Sequence, residues 1–255
     1  MSDQAPLNRA ERRRREREAR RLAKRDQVPL KVLYQDAMRF LQGGELDQAE
    51  ALFRDLLDKQ PGDPGLNQML GITMLQAGRY EEALECFDEV LAVDPGSFAV
   101  IENKGITLKE LGRLEEAKVL FEKGLEIRPD STEAQNNLGT ALHDLGDLEG
   151  AGEAYRRALK GAWGYADAHY NLGRLCREQG EPEKALASLH EALRTKPDWI
   201  DAGMEVARSL ADLGRFEVAL GEIEKWCERA PEHQPVLDLR DEIKQRAEAP
   251  STVLN

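Results

Sequence analysis

From Leu30 onward the chain alternates apolar stretches of helical period with short polar breaks. A glycine stands in one class of break at 44, 78, 112, 146, 180 and 214, and an alanine follows five residues after each, at Ala49, Ala83, Ala117, Ala151, Ala185 and Ala219. Each glycine lies between two amphipathic stretches, so the repeating unit reads as helix, turn, helix. The units run 30–63, 64–97, 98–131, 132–165, 166–199 and 200–233, each 34 residues long, with nothing inserted or deleted between them. The third reads FAVIENKGITLKELGRLEEAKVLFEKGLEIRPDS. Its first helix places a buried stripe at the fourth, seventh, eighth and eleventh positions and leaves the second, fifth, sixth, ninth, twelfth and thirteenth for the other face.

Within each unit, small residues mark where the two helices must approach: Gly71, Gly105, Gly139 and Gly173 in the first helix, and the alanine series in the second. Four residues beyond each alanine a large group fills the space between helices: Phe53, Phe87, Phe121, Tyr155, Leu189 and Ile223. A proline closes the unit at 61, 95, 129, 197 and 231, where it cannot continue the helix. Two departures stand out. Trp163 takes the place of the fourth proline, so that junction either bends differently or presents an aromatic to a partner. Gly203 and Ala207 replace a bulky residue and the usual glycine, which predicts a looser fit in the last unit.

The leucine–glycine step (as in Asn137-Leu138-Gly139), the turn glycine, the alanine, the large residue and the closing proline together resemble the tetratricopeptide repeat family over residues 30–233. The resemblance implies an all-α fold, a right-handed α-solenoid of six repeats with a concave groove. Arrays of this kind need a polar-faced terminal element, and residues 234–249, with Val236, Leu239 and Ile243 on one face, supply a capping helix before a tail at 250–255.

Composition sharpens this picture. Apolar residues make up 41% of the 255 and charged residues 33%, suiting thin, solvated helical layers. Nothing approaches 18 consecutive apolar residues, and the start carries no secretory-type apolar segment. The three cysteines, Cys86, Cys176 and Cys227, are odd in number and far apart, which suits inert thiols in a reducing compartment. The cytoplasm is the expected location. Charge is uneven: residues 1–28 hold ten Arg/Lys against five Asp/Glu, a balance of +5, while the rest hold 26 against 43, or −17. Residues 1–29 therefore read as a basic arm, partly helical and without a packing stripe. It is a solvated tail, a docking element for an acidic protein, or a nucleic-acid contact.

The groove face carries the candidate chemistry. Asn103, Asn137 and Asn171 recur at the sixth place, and an amide both donates and accepts, so each can hold a peptide group in either sense. These three units resemble the repeats of O-linked N-acetylglucosamine transferase, whose groove a similar asparagine ladder lines. Lys109, His143 and Arg177 recur at the twelfth place, with Arg174 and Arg208 at the ninth place of later units. This row suits an acidic or C-terminal segment, unless Glu110, Asp144, Glu178 and Asp212 beside it neutralise it. Tyr170, Tyr165, Trp199 and Trp163 add flat apolar contacts. There is no His/Cys cluster with ligand spacing, nucleophile elbow or phosphate loop, so catalysis, a cofactor, a metal and a small-molecule substrate are not expected. The sequence reads as a protein–protein interaction scaffold or adaptor that binds an extended peptide. The alternatives are a substrate-presenting subunit of a separate modifying enzyme such as a glycosyltransferase, and nucleic-acid association through the arm.

Overall fold

The computed structural model describes residues 28–248. The basic arm, apart from Val28 and Pro29, and the tail at 250–255 lie outside the described residues. Among the described residues there are thirteen α-helices and no strand. They are α1 Leu30–Gln42, α2 Leu46–Lys59, α3 Pro64–Gln76, α4 Tyr80–Val93, α5 Phe98–Glu110, α6 Leu114–Ile127 and α7 Thr132–Asp144. There follow α8 Leu148–Gly161, α9 Ala166–Glu178, α10 Pro182–Thr195, α11 Ile200–Asp212, α12 Phe216–Arg229 and α13 Gln234–Glu248. The odd-numbered helices from α1 to α11 open the six sequence units, and the even-numbered helices close them.

The local causes repeat from unit to unit. All six turn glycines adopt positive φ, between +69° and +85°, a region that L side chains enter only at a cost. At Gly146 the glycine N–H donates to the His143 carbonyl and the next N–H, of Asp147, donates to Leu142, both at 2.9 Å. That pair of bonds closes the exposed carbonyls at the end of α7. The Asp147 carboxylate then caps α8 by accepting from the Gly150 N–H at 2.9 Å. Between the paired helices the glycine–aromatic contact has no slack. A β-carbon placed on Gly139 would stand 2.5 Å from Tyr155, and one on Gly105 would stand 2.6 Å from Phe121. The six alanines of the second helices are fully buried.

The chain divides into two compact units, at Val100 and Ile101. In the first, α1 packs on α2, α2 on α3 and α3 on α4, around Leu33, Phe53, Leu70, Phe87 and Val90. In the second, each helix from α6 to α13 packs on the next, and first helices also touch one another: α7 with α9, α9 with α11, and α11 with α13. Its terminal core joins Leu189, Met204, Ile223 and Trp226 to Val236, Leu239 and Ile243 of the capping helix. The looser fit expected at Gly203 and Ala207 does not occur. Trp226 of α12 lies against Gly203 so closely that any β-carbon there would overlap the indole, and both residues are buried. The bulk missing from the first helix is supplied from the second.

Candidate functional site

The face made by the first helices of residues 101–248 gathers most of the sequence-predicted groove residues. Its asparagines act first as links between repeats. Asn137 Nδ2 donates to Glu102 Oε2 at 3.2 Å, and Asn171 Nδ2 donates to Asn136 Oδ1 at 3.0 Å, each reaching back 35 residues. Both asparagines are half-buried, and each keeps an amide oxygen and a second N–H beyond this bond. Asn103 is half-buried, and its backbone carbonyl accepts from the Thr107 hydroxyl at 2.7 Å. The fifth place, expected on the open face, is buried at Glu102 and Asn136: Asn137 of α7 reaches over the first, and α9 packs on α7 at the second.

Glu102 is the unusual member. It is 7% exposed, and its Oε1 has no hydrogen-bond partner. Loss of water around the carboxylate raises its pKa to about 7, with the Glu133 charge adding to the rise.

Electrostatics sort the cationic row. Lys109 Nζ pairs with Glu110 on its own helix at 2.8 Å, and His143 Nε2 meets Glu178 of the next repeat at 2.6 Å. Arg177 bridges Glu205 at 2.8 Å and Asp212 at 3.4 Å. Arg208 takes the other oxygen of Glu205 at 2.7 Å. Four of these basic side chains thus meet carboxylates. Arg174 pairs with none among the described residues and instead lies 5.7 Å over the Tyr170 ring. Tyr170 stacks on Trp199 at 4.5 Å, and Lys196 Nζ stands 4.7 Å over that indole while also binding Asp167 at 2.9 Å. The structure therefore brings Arg174, Tyr170 and Trp199 into one contiguous platform, its two rings tilted by 34°. Tyr165 is not part of it: this ring packs against Ala158, Leu159 and Ala168, where burial pushes its hydroxyl up to about 12.

Three tetratricopeptide repeat family models match the sequence, over residues 40–102, 99–131 and 130–198. The chain belongs to the tetratricopeptide repeat family. Solved structures agree with that fold. A thermophilic tetratricopeptide protein of Thermus thermophilus superposes with TM-score 0.59 at 26% identity, covering 72% of this chain and 98% of that one. A tetratricopeptide protein of Parabacteroides merdae superposes with TM-score 0.69 at 21% identity, over 86% and 89% of the two chains. YrrB, described as having an unusual peptide-binding site, gives 0.56 at 21% identity, over 74% and 97%. No curated protein sequence matches the chain.

Sequence reasoning missed Glu102, Asn136 and Glu205 as the partners of the tetratricopeptide face. For Glu102 and Asn136 the available signal was a separation of 35, one more than the repeat, linking the fifth place of one unit to the sixth of the next; Glu205, 28 residues from Arg177, follows no such step. Of the remaining candidates, Trp163 is 63% exposed and lies on the second-helix side with α8 and α10, away from the asparagines. Among the described residues no helix is long and apolar enough to cross a membrane, and no three His, Cys, Asp or Glu side chains are grouped to hold a metal.

Proposed function

We propose that this protein is a non-catalytic adaptor that holds an extended segment of a partner protein along the first-helix face of residues 101–248. One observation carries the reading. Asn137 and Asn171 are fixed in register by their inter-repeat bonds, with amide valences to spare, beside an Arg174 that has no carboxylate among the described residues. Fixing an amide before a ligand arrives lowers the ordering cost of binding. Successive rungs would meet a strand about every third residue, from a repeat spacing of roughly 10 Å and a strand rise of roughly 3.3 Å. Two or three neutral hydrogen bonds at about 1 kcal/mol each fall short of even millimolar binding, near 4 kcal/mol, so the Arg174–Tyr170–Trp199 platform must supply the rest. An acidic side chain or free C-terminus on the ligand suits Arg174. Tetratricopeptide repeats generally serve as protein-interaction modules, which supports the class of partner.

The test is site-specific photocrosslinking in the full chain, with a benzophenone residue at position 140, the ninth place one repeat before Arg174, or at the exposed position 157. Crosslinks from 140 that vanish in the Asn171→Ala, Arg174→Ala variant are expected. Equal crosslinking from 157, or none from 140, would remove the face as the binding surface. Presentation of substrates to a modifying enzyme such as a glycosyltransferase rests on the asparagine pattern alone, and requires a catalytic chain among the crosslinked partners. Nucleic-acid association through the arm requires salt-dependent binding that is lost on removing residues 1–28.

A further inference from the structure

A cleft of about 720 Å³ opens on the second-helix side, walled by Arg156 and Lys160 of α8, Trp163 of the following turn and Glu191 of α10, with His169 and Leu172 of α9 lining it. We infer that this cleft is a second docking site, for an acidic segment of another protein that carries a large apolar side chain within one helical turn of a carboxylate. The inference is independent of the reading of the first-helix face.

Three observations support it. Trp163 is exposed yet fixed. Its carbonyl accepts from His169 Nε2–H at 2.7 Å, and its ring stands edge-on to the imidazole at 5.0 Å and 82°. Beside it, Arg194 holds the Glu191 carboxyl below the usual range, with Trp163 the smallest contributor. A large aromatic already held in one place can bury surface on binding with little ordering cost, as anchor residues of interfaces do.

The second observation is charge. In residues 101–248 the cations are widely matched to carboxylates, as at Arg157 with Glu153 (3.1 Å) and Lys184 with Glu181 (2.8 Å). Arg156 and Lys160 stand four residues apart on one face of α8 and pair with no carboxylate among the described residues. The Arg156 guanidinium lies over Gly152, one turn back along α8, so the two charges form a short basic ridge open to carboxylates. The third is the floor. His169 is 2% exposed, its Nε2 is taken by the Trp163 carbonyl, and its Nδ1 has no hydrogen-bond partner. The rest of the cleft is apolar enough to take a side chain without a hydrogen-bonding tip.

Charge also selects the occupant. The basic arm, at +5, would meet Arg156 and Lys160 with like sign, and so is disfavoured. The residues beyond the arm carry −17, so an acidic segment is repelled by most of the surface and drawn to this ridge. Opposition elsewhere and attraction here together make the site selective.

The experiment uses the full chain and a random twelve-residue peptide library displayed on phage. Selected peptides are synthesised and titrated by fluorescence anisotropy against wild type and three variants. These are Trp163→Ser, the charge reversal Arg156→Glu with Lys160→Glu, and Asn137→Ala with Asn171→Ala. The expected result is enrichment of Trp, Phe, Leu or Ile within four residues of Asp or Glu. Affinity should fall at least tenfold in the Trp163 and charge-reversal variants and stay unchanged in the asparagine variant. Circular dichroism confirms folding, and if Trp163→Ser were to unfold, Lys160→Glu alone decides. The inference is overturned if no enriched peptide depends on Trp163 or Lys160, if the enriched peptides are basic, or if only the asparagine change abolishes binding. It is also overturned if a labelled single-stranded oligothymidylate competes for the same residues with higher affinity.

Discussion

Arg177 Nε donates to Glu205 Oε2 across 2.8 Å, tying α9 to α11, while Arg208 of α11 occupies the other oxygen at 2.7 Å. Glu205 is 5% exposed, and both of its oxygens are taken by guanidinium groups. Glu205→Ala would leave two half-buried guanidinium groups facing each other. The expected loss is about 2–4 kcal/mol, because Arg208 loses its carboxylate and Arg177 keeps only the longer contact to Asp212. Urea unfolding measures it, and hydrogen exchange should show the lost protection concentrated in α9 and α11. A loss below about 0.5 kcal/mol, the range of ordinary surface changes, would mean that the cluster is incidental.

Two kinds of glycine should fail by different routes. Gly139→Ala drives a β-carbon to 2.5 Å from Tyr155, an overpacking worth about 1–3 kcal/mol. Gly146→Ala meets nothing within 4 Å but must hold φ +85°, at about 1–2 kcal/mol. Adding Tyr155→Leu should recover part of the first loss and none of the second, a double-mutant comparison read by thermal melting. Equal recovery in both backgrounds would contradict the assignment.

The Glu102 carboxyl titrates near 7 in the folded chain against 4.5 ordinarily. Below the ordinary value it is protonated in both states. Between the two values the folded state keeps a proton that the unfolded chain has released. The stability it contributes is therefore complete at low pH and is lost as pH rises through about 7, by at most about 1.4 kcal/mol per pH unit. Glu102→Gln should flatten this slope, raising the urea midpoint at pH 8 relative to wild type and leaving it unchanged at pH 4. Parallel pH profiles for the two proteins would show that the carboxyl is hydrated.

All three thiols have their pKa raised, foremost by burial. Since the thiolate is the nucleophile, reaction with Ellman's reagent at pH 8 should be slow in the folded protein and fast in urea. Rapid native modification of Cys176 would place it in an open, reactive setting instead.

The repeat was legible because its causes are local. Glycine at a left-handed turn, alanine at a helix crossing and proline after a helix each act within a few residues, and six units in phase multiply the signal. What escaped depends on a neighbour. Glu102 and Asn136 looked like open-face residues until the next first helix covered them, and Gly203 looked like a void because Trp226 fills it from another helix. The asparagine ladder was visible as spacing, but its bonds to the preceding repeat were not. The cationic row was visible too. Which cation lacks a carboxylate was decided by side chains 28 to 35 residues away, as for Arg177 with Glu205 and Asp212.

Because the asparagine bonds between repeats span 35 residues, they remain in phase under removal of any multiple of 34. Excising residues 132–165 would bring Asn171 to the position Asn137 now holds, facing Glu102 with the same donor, while Pro129 would again close the unit before α9. Loss of one residue, by contrast, rotates every later helix by about 100° against its neighbours. The chain is thus tolerant of large whole-unit changes in length and intolerant of small ones. Its natural grain for recombination, by duplication or loss, is the complete repeat, with the Trp163 junction the piece such an excision would discard.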